Sequence, residues 1–282
     1  MKVAGTTDGA SGPRRQHARN CSRMLDVRHR HERGRRASAR KEKLSEAPGT
    51  LRPALRQRPR GLVCRLMITV GCAGFPVPAT RYFREFSFVE VQETHVSLPG
   101  PGTIRRWRRE APHGFRFALL GPREVGQEGF RDGKVIETAL KSISSVADEL
   151  EAKTAVFVAP PEFAHTRANK SVLREFLAGV KDRFERVVFE PAPGWDPDEC
   201  DDLTKEVGAI AARDPLTAGL SKLPAAYYRL HGPAGHKSRY EDPAIERLGE
   251  IARGAKHTDA TYVFTNVDMF ADAKRFKKAL KL

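Results

Sequence analysis

Aromatic residues are missing from the first 66 positions of this 282-residue chain, which contain no Phe, Trp or Tyr. The same stretch, Met1–Leu66, shows no apolar period and carries 18 Lys and Arg residues against 5 Asp and Glu. A segment with so little apolar surface cannot offset its chain entropy, so the sequence predicts a disordered basic tail. The remaining 216 residues carry 32 basic and 30 acidic side chains, so the formal net charge of +15 belongs mainly to the tail.

Three interpretations of this tail stay open. Its arginines could bind nucleic acid through counterion release, and nucleic acid is a predicted partner only through this segment. The tail could instead be a transit peptide, although it lacks a convincing amphipathic helix. In the third interpretation translation begins at Met67, directly before the first predicted strand, and the upstream residues are a mis-assigned start.

Cysteines are few and are not spaced for metal or disulfide chemistry. The four are Cys21, Cys64, Cys72 and Cys200, and no two of them form a Cys-x-x-Cys pair. The sequence therefore predicts neither a disulfide framework nor a zinc site. It also lacks a signal-peptide core and any apolar run long enough to span a bilayer. We expect a reduced, cytoplasmic protein with no membrane partner.

Glycine-rich phosphate loops are absent as well. No Gly-x-Gly-x-x-Gly or Gly-x-x-x-x-Gly-Lys sequence follows any predicted strand, so a nucleotide held in those ways is not predicted and the cofactor stays unknown. What the body does have is a regular alternation of strand and helix. The predicted strands are Ile68–Cys72, Phe88–Gln92, Phe115–Leu119, Thr154–Ala159, Arg186–Glu190, Val207–Ala211, Ala226–His231 and Thr261–Asn266.

Helical segments separate these strands. The clearest is Gly133–Leu150, whose apolar stripe begins at Val135 and includes Leu140 and Ile143. Eight strands alternating with helices predict a TIM-barrel-like (β/α)8 barrel over residues 67–282, with an open doubly wound sheet as the alternative. The other predicted helices are Pro78–Glu85, Thr103–Glu110, Asn169–Phe184, Pro197–Lys205, Pro243–Ala255 and Ala271–Leu280.

The strand Ala226–His231 is the most informative element. Because side chains alternate along a strand, Tyr227, Arg229 and His231 share one face. Helices cover the outside of a barrel, so we expect this polar face to point inward. An unpaired charge buried there would cost several kcal/mol, and partners for the guanidinium and the imidazole are therefore required.

Polar residues also lie on or directly after other predicted strands. Active sites of (β/α)8 barrels form at the carboxyl ends of the strands. We therefore expect one mouth of the barrel to gather Glu90, Glu190, Asp214, Arg229, His231 and Asn266.

Two interpretations of this cluster stay open. Arg229 could form a structural ion pair with Glu90 or Glu190, and His231 could be a core histidine. Alternatively, the charges are held apart and serve a ligand. Three polar side chains on one strand exceed what a single ion pair needs, which favours the ligand. A metal on Glu90, Glu190 and His231 has no spacing motif to support it and is not predicted.

Seven short motifs follow one another along the body: Val70–Phe75, Phe88–Thr94, Trp107–Phe117, Pro160–Phe163, Phe189–Pro191, Tyr228–Gly232 and Tyr262–Asn266. In order and spacing they resemble the domain of unknown function 72 (YecE-like) family. The resemblance covers essentially all of residues 67–282 and none of the tail. It implies a TIM-barrel-like fold, in agreement with the strand count, and it implies no reaction, because the family's activity is not established.

The resemblance also implies a set of site residues and shows departures from the family pattern. Leu120 stands where a lysine is expected, Val158 where a glutamine is expected and Ala192 where an arginine is expected, while His95-Val96 replaces an aromatic pair. These changes weaken anion binding, and indicate a changed substrate or a lost activity. The matching polar positions are Glu90, Thr94, Glu190, Asp214, Arg229, His231, Tyr240 and Asn266.

The sequence favours an enzyme that acts on a small anionic substrate. In this interpretation Arg229 holds the anion, His231 exchanges protons, and Glu90 or Glu190 orients His231 or acts as a base. Thr94, Asp214, Tyr240 and Asn266 would contact the substrate. The alternative is a non-catalytic binding protein on a degenerate barrel whose basic tail contacts nucleic acid.

Overall fold

The computed structural model describes residues 66–282, so the predicted disordered tail lies outside the described residues apart from Leu66. Within this range eight parallel strands close into a barrel in sequence order, from β1 to β8 and back to β1. The predicted (β/α)8 barrel is therefore confirmed, and the open doubly wound sheet is wrong. No helix in residues 66–282 has both the length and the apolar character needed to cross a membrane.

The strands are short and the helices follow them in regular alternation. The strands are β1 Met67–Ala73, β2 Phe88–Val91, β3 Arg116–Leu120, β4 Thr154–Val158, β5 Arg186–Glu190, β6 Ile210–Arg213, β7 Ala225–Leu230 and β8 Asp259–Phe264. The helices are α1 Ala79–Tyr82, α2 Pro101–Glu110, α3 Arg123–Gln127, α4 Lys134–Leu150, α5 Arg167–Val180, α6 Pro197–Val207, α7 Asp242–Gly254 and α8 Met269–Leu280, with a 3-10 turn at Glu93–His95.

Helix α4 shows how the apolar stripe fixes the packing of the outer layer. Leu140 and Ile143 lie one turn apart on the face that packs on the sheet, and both are buried. Lys141, on the other side, is exposed. Val135 was predicted to lie on the buried stripe, but its side chain is exposed at the first turn of the helix.

The sixth strand begins later than predicted. The sequence pattern placed a strand over Val207–Ala211, whereas α6 continues to Val207 and β6 starts at Ile210. Gly208 ends the helix with φ at 70°, a left-handed conformation that glycine adopts without steric cost. Asp196 caps the other end of this helix, since its side chain accepts hydrogen bonds from the backbone N–H groups of Asp198 and Glu199.

The barrel interior is mostly apolar and closely filled. Phe88, Val156, Val188 and Tyr227 belong to a buried cluster inside the strands, separate from the larger cluster between strands and helices. Glu90 and Arg229 are charged residues buried inside the barrel, above this apolar cluster. The carboxyl ends of β5, β7 and β8 are the ones that matter for the candidate site.

Candidate functional site

Arg229 on β7 lies between two carboxyl groups on other strands. Its Nη2 donates to Oε1 of Glu90 at 2.9 Å, and its Nη1 donates to Oε2 of Glu190. The hydroxyl of Tyr227 donates to the other oxygen of Glu90 at 2.7 Å. Glu90 is completely buried, and the Arg229 side chain is only 7% exposed. The guanidinium therefore already has two internal partners at the place where the sequence predicted an anion.

Glu190 is held in its ionised form by this arrangement. Burial by itself would raise the pKa of Glu190, but the charges of Arg229 and His231 and their hydrogen bonds outweigh it and lower the pKa to about 2. The same carboxyl groups raise the pKa of Arg229 against the opposing effect of its burial. A fixed negative charge therefore lies at the end of β5, at the border of the barrel mouth.

His231 follows β7 directly and has a partner on each ring nitrogen. Its Nε2 lies 2.5 Å from Oε1 of Glu190, and its Nδ1 lies 2.7 Å from the hydroxyl oxygen of Thr265. Since ionised Glu190 can only accept, Nε2 carries a proton that it donates.

The Thr265 hydroxyl can serve either protonation state of His231. With a neutral ring the hydroxyl donates to Nδ1. With a charged ring it accepts from Nδ1 and can donate to the carbonyl of Leu230 at 3.3 Å. Both hydrogen bonds of the imidazole are therefore compatible with a neutral and with a charged ring.

A cavity of about 660 Å³ opens above these residues, beyond the carboxyl ends of β4 to β7. Glu190, Asp214 and His231 border it, together with His236 and the indole of Trp195. Trp195 is a fixed wall, since its Nε1–H donates to the carbonyl of Phe163 at 2.8 Å. The volume is within the range typical of small-molecule sites.

His236 is a residue of this cavity that the sequence analysis missed. Its Nδ1–H donates to the carbonyl of Thr265 at 3.0 Å, and its own carbonyl accepts from the backbone N–H of Val267 at 2.6 Å. Its ring stands edge-on to that of His231, with 4.8 Å between the ring centres. Nε2 of His236 has no hydrogen-bond partner among the described residues, so this nitrogen is available to a ligand.

Asp214 borders the cavity, whereas Tyr240 is buried behind it and does not line the cavity. Oδ1 of Asp214 accepts from the backbone N–H of Leu216 at 2.8 Å, and Oδ2 accepts from the Tyr240 hydroxyl at 3.4 Å. That hydroxyl in turn accepts from the backbone N–H of Gly232 at 2.9 Å. Burial raises the pKa of Asp214, and the Leu216 N–H only partly opposes this shift.

Asn266 lies away from the cavity and fastens the segment between β7 and α7. Its Nδ2 donates to the carbonyl of Ser238 at 3.0 Å and to Oδ2 of Asp272 at 2.8 Å. Oδ2 of Asp272 also accepts from the backbone N–H of Tyr240 at 3.1 Å, while Oδ1 accepts from Arg275 at 2.5 Å. This Asn266–Asp272 network, comprising Asn266, Asp272, Tyr240 and Arg275, anchors the segment that carries His236 to α8.

Thr94 lies outside the cavity too. Its hydroxyl donates to the carbonyl of Leu120 at 2.6 Å, and it borders a different cavity of about 520 Å³ beside α4. Of the four departures from the family pattern, Val158 and Ala192 border the mouth cavity, while Leu120 packs inside the barrel. The fourth, His95-Val96, lies elsewhere, since Val96 borders the same cavity as Thr94. Two positions expected to be polar are therefore apolar at the mouth.

Within residues 66–282 no group of three or more His, Cys, Asp or Glu side chains is arranged to hold a metal ion. The cluster at the mouth combines one fixed carboxylate, one carboxyl with a raised pKa and two imidazoles. Such a set can bind polar groups and can move protons.

The comparisons with known proteins agree with the fold. The family model described as "Protein of unknown function DUF72" matches residues 79–282. A DUF72 family protein from Enterococcus faecalis V583 superposes with a TM-score of 0.61 at 17% identity, covering 77% of this chain and 96% of that one. No match was found among curated proteins.

Two further solved structures are similar to this chain. A DUF72 family protein from Thermotoga maritima MSB8 has a TM-score of 0.59 at 19% identity and covers 77% of this chain and 100% of its own. A xylose isomerase domain-containing protein from Salmonella typhimurium LT2 has a TM-score of 0.51 at 12% identity and covers 76% and 97%. Identities this low establish a shared barrel fold and no shared chemistry.

Proposed function

The chain belongs to the DUF72 family of proteins of unknown function, and from this premise we propose that it is an enzyme that transfers protons to and from a small molecule bound in the mouth cavity. The observation that carries the proposal is the row formed by Arg229, Glu190 and His231. In this row a buried cation keeps a carboxylate ionised, and that carboxylate holds one nitrogen of an imidazole at the cavity border.

His236 is the group that exchanges the proton with the substrate. Its Nδ1–H is fixed on the Thr265 carbonyl, so Nε2 presents a lone pair to the cavity in the neutral ring. A base needs its reacting nitrogen within hydrogen-bond reach of the substrate and its other nitrogen held in place. The predicted proton exchange at His231 would require its bond to Thr265 to open, because both of its nitrogens have partners.

Glu190 and His231 lie beside His236, where they influence the positive charge that forms on its ring. Ionised Glu190 borders the same cavity as His236, and its negative charge favours the positive charge that His236 acquires when it takes a proton. Asp214, with its raised pKa, supplies a second acid–base group on the same cavity. The two carboxyl environments shift the pKa in opposite directions, lowering that of Glu190 and raising that of Asp214.

We keep the anionic substrate that the sequence predicted, but we assign its charged group to different residues. Arg229 donates to Glu90 and Glu190, and Arg213, which also borders the cavity, is paired with Asp201. Ala192 and Val158 offer no side-chain donor, so we assign a substrate anion to the imidazoles. Glu190 itself repels an anion. We therefore place the anionic group of the substrate on the side of the cavity nearest His236.

The runner-up is a binding protein without catalysis. The apolar residues Val158 and Ala192 at the mouth favour it, because they remove polar side chains that the family pattern expects. Nothing in this alternative requires the free nitrogen of His236.

The experiment is a metabolite-pool incubation followed by mass spectrometry, with the full chain and with His236→Gln and Arg174→Gln. The proposal expects a metabolite consumed by wild type, at a rate at least about 100-fold lower in His236→Gln because a general base contributes 10²–10⁴-fold. Arg174→Gln changes an exposed residue of α5 away from the mouth cavity and should keep turnover. A metabolite that raises Tm equally in all three proteins and is never consumed would establish the binding protein.

A further inference from the structure

A second cavity opens at the opposite, amino-terminal end of the barrel. It has a volume of about 440 Å³, and Tyr227 and Phe88 from the barrel interior form part of its lining. The hydroxyl-bearing residues Thr154 and Thr261, in β4 and β8, border it as well. Residues at this end of a (β/α)8 barrel ordinarily serve stability, so a cavity with a strongly charged lining there needs an explanation.

Three neighbouring strands place a basic residue at this cavity. Arg116 is the first residue of β3, Lys153 directly precedes β4, and Arg186 is the first residue of β5. The backbone N–H of Arg186 donates to the carbonyl of Lys153 at 3.0 Å. Because adjacent strands lie about 4.8 Å apart, the three cationic side chains start close together along one edge of the barrel. This basic rim is Arg116, Lys153 and Arg186.

Few acidic groups balance the basic rim within the cavity. Arg108 and His113 add to its lining, and among residues 66–282 Glu151 is the only carboxyl group that borders it. Glu151 pairs with Arg108 at the outer edge, where its side chain is 68% exposed. The lining itself therefore holds four Lys and Arg side chains and one acid, while Glu185 and Asp259 pair with Lys153 and Arg186 from outside the lining.

Two of the three rim residues, Arg116 and Lys153, are free of a buried ion pair, whereas Arg186 is paired with Asp259. Nη2 of Arg116 donates to the neutral hydroxyl of Thr69, and no carboxyl group of the described residues lies within ion-pair distance of it. Lys153 pairs with Glu185 at 2.6 Å, but both side chains are largely exposed, and ion pairs between exposed side chains add little to stability. An anion could displace Glu185 at little cost.

We propose that the cavity bounded by the basic rim binds a small anion that carries phosphate groups. Guanidinium groups present paired N–H donors that match two phosphate oxygens, and lysine adds a mobile third charge. The hydroxyls of Thr154 and Thr261 can supply further hydrogen bonds, and the rings of Phe88 and Tyr227 can pack on an apolar part of the ligand. The volume exceeds that of a single phosphate and suits a diphosphate or a phosphate ester.

The test is calorimetric titration of the full chain with pyrophosphate at constant ionic strength. Three proteins are compared: wild type, Arg116→Gln/Lys153→Gln, and the control Arg174→Gln/Arg247→Gln. The control removes two exposed cations from α5 and α7, so its net charge equals that of the rim variant. Any contribution from the basic residues 1–66 is then the same in both variants.

We expect pyrophosphate to bind wild type and the control with affinities within about twofold. The rim variant should bind at least about tenfold more weakly, since each charge-assisted hydrogen bond lost accounts for about that factor. Equal affinity in all three proteins would overturn the proposal, as would the absence of binding to wild type. His236→Gln serves as a control for pyrophosphate binding in the mouth cavity. If His236→Gln weakens binding and the rim variant does not, the ligand is at the mouth and the proposal is wrong.

The rim variant leaves no buried carboxyl group without a partner, because Arg186 and its ion pair with Asp259 stay in place. If it nevertheless failed to fold, Lys153→Gln alone replaces it. That side chain is 68% exposed, and its loss should weaken pyrophosphate binding severalfold while leaving Tm unchanged. Unchanged affinity in this variant would again contradict the proposal.

Discussion

Arg229 and Glu90 meet across the inside of the barrel, with 2.9 Å between Nη2 and Oε1, although β7 and β2 are separated by two other strands. The contact links parts of the chain 139 residues apart. Since Glu90 is completely buried, its carboxyl group depends on Arg229 and Tyr227 for compensation.

The first prediction concerns this contact. Arg229→Met removes the cation and leaves Glu90 and Glu190 facing one another, so it should lower the free energy of unfolding by about 3–5 kcal/mol. Glu90→Gln in the same protein should recover part of the loss. Chemical denaturation measures both, with Arg174→Met, which breaks an exposed pair with Glu206, expected to change stability by about 0.5 kcal/mol or less.

The sequence favoured the opposite outcome for Arg229, with charges held apart and a small cost in stability. The contacts with both carboxyl groups reverse that expectation. A loss below about 1 kcal/mol in Arg229→Met would return the residue to the ligand-binding interpretation.

The second prediction concerns acid. The pKa of Glu190 is lowered from its ordinary 4.5 to about 2, so the folded state binds this proton less readily than the unfolded chain. The contribution of ionised Glu190 to the free energy of unfolding is present above pH 4.5. It is lost as the pH falls from there towards 2, and the loss amounts to roughly 3 kcal/mol.

Denaturation of wild type and Glu190→Gln between pH 2 and 7 isolates this contribution. The stability difference between the two proteins should shrink as the pH falls through that window, because the other acidic groups are common to both. A difference that stays constant from pH 7 to pH 2 would mean that Glu190 is not held ionised by Arg229 and His231.

The third prediction has the opposite sign and concerns Asp214. Burial raises the pKa of this carboxyl group, so the folded state loses stability as the pH rises through the interval between the unfolded and folded pKa values. Asp214→Asn keeps the acceptor for the Leu216 N–H and cannot ionise. The free energy of unfolding of Asp214→Asn minus that of wild type should therefore be more positive at pH 7 than at pH 3. An equal difference at the two pH values, measured by chemical denaturation, would contradict the prediction.

The fourth prediction tests the outer layer. Leu140 is buried in the core between α4 and the sheet, so Leu140→Ala should cost about 2–5 kcal/mol. Lys141→Ala, its neighbour on the exposed side, should change stability by about 0.5 kcal/mol or less. Similar losses at the two positions in chemical denaturation would show that the helix face is wrongly assigned.

The alternation of strands and helices was sufficient to predict the fold, and the alternation of side chains along a strand predicted which residues of β7 face the barrel interior. It placed Tyr227, Arg229 and His231 on one inward face, where the structure has them. The pattern fails at the ends of strands, where the pleat no longer applies. Asn266 follows β8 and its side chain donates to Asp272 of α8, not into the cavity.

His236 could not have been found from periodicity. It lies in an irregular segment, and its place depends on backbone contacts with Thr265 and Val267, residues about 30 positions later in the chain. The start of β6 was missed for a related reason, since Gly208 ends α6 and displaces the strand towards Ile210.

The Asn266–Asp272 network has a kinetic consequence for any ligand of the mouth. It pins the backbone on both sides of Tyr240 to α8 during folding, so the conformational entropy of the segment that carries His236 is already lost before a ligand arrives. Binding then needs no loop closure and should follow a single exponential whose rate rises linearly with ligand concentration. Asn266→Ala would free the segment, and the same encounter would acquire a slower ordering phase that saturates.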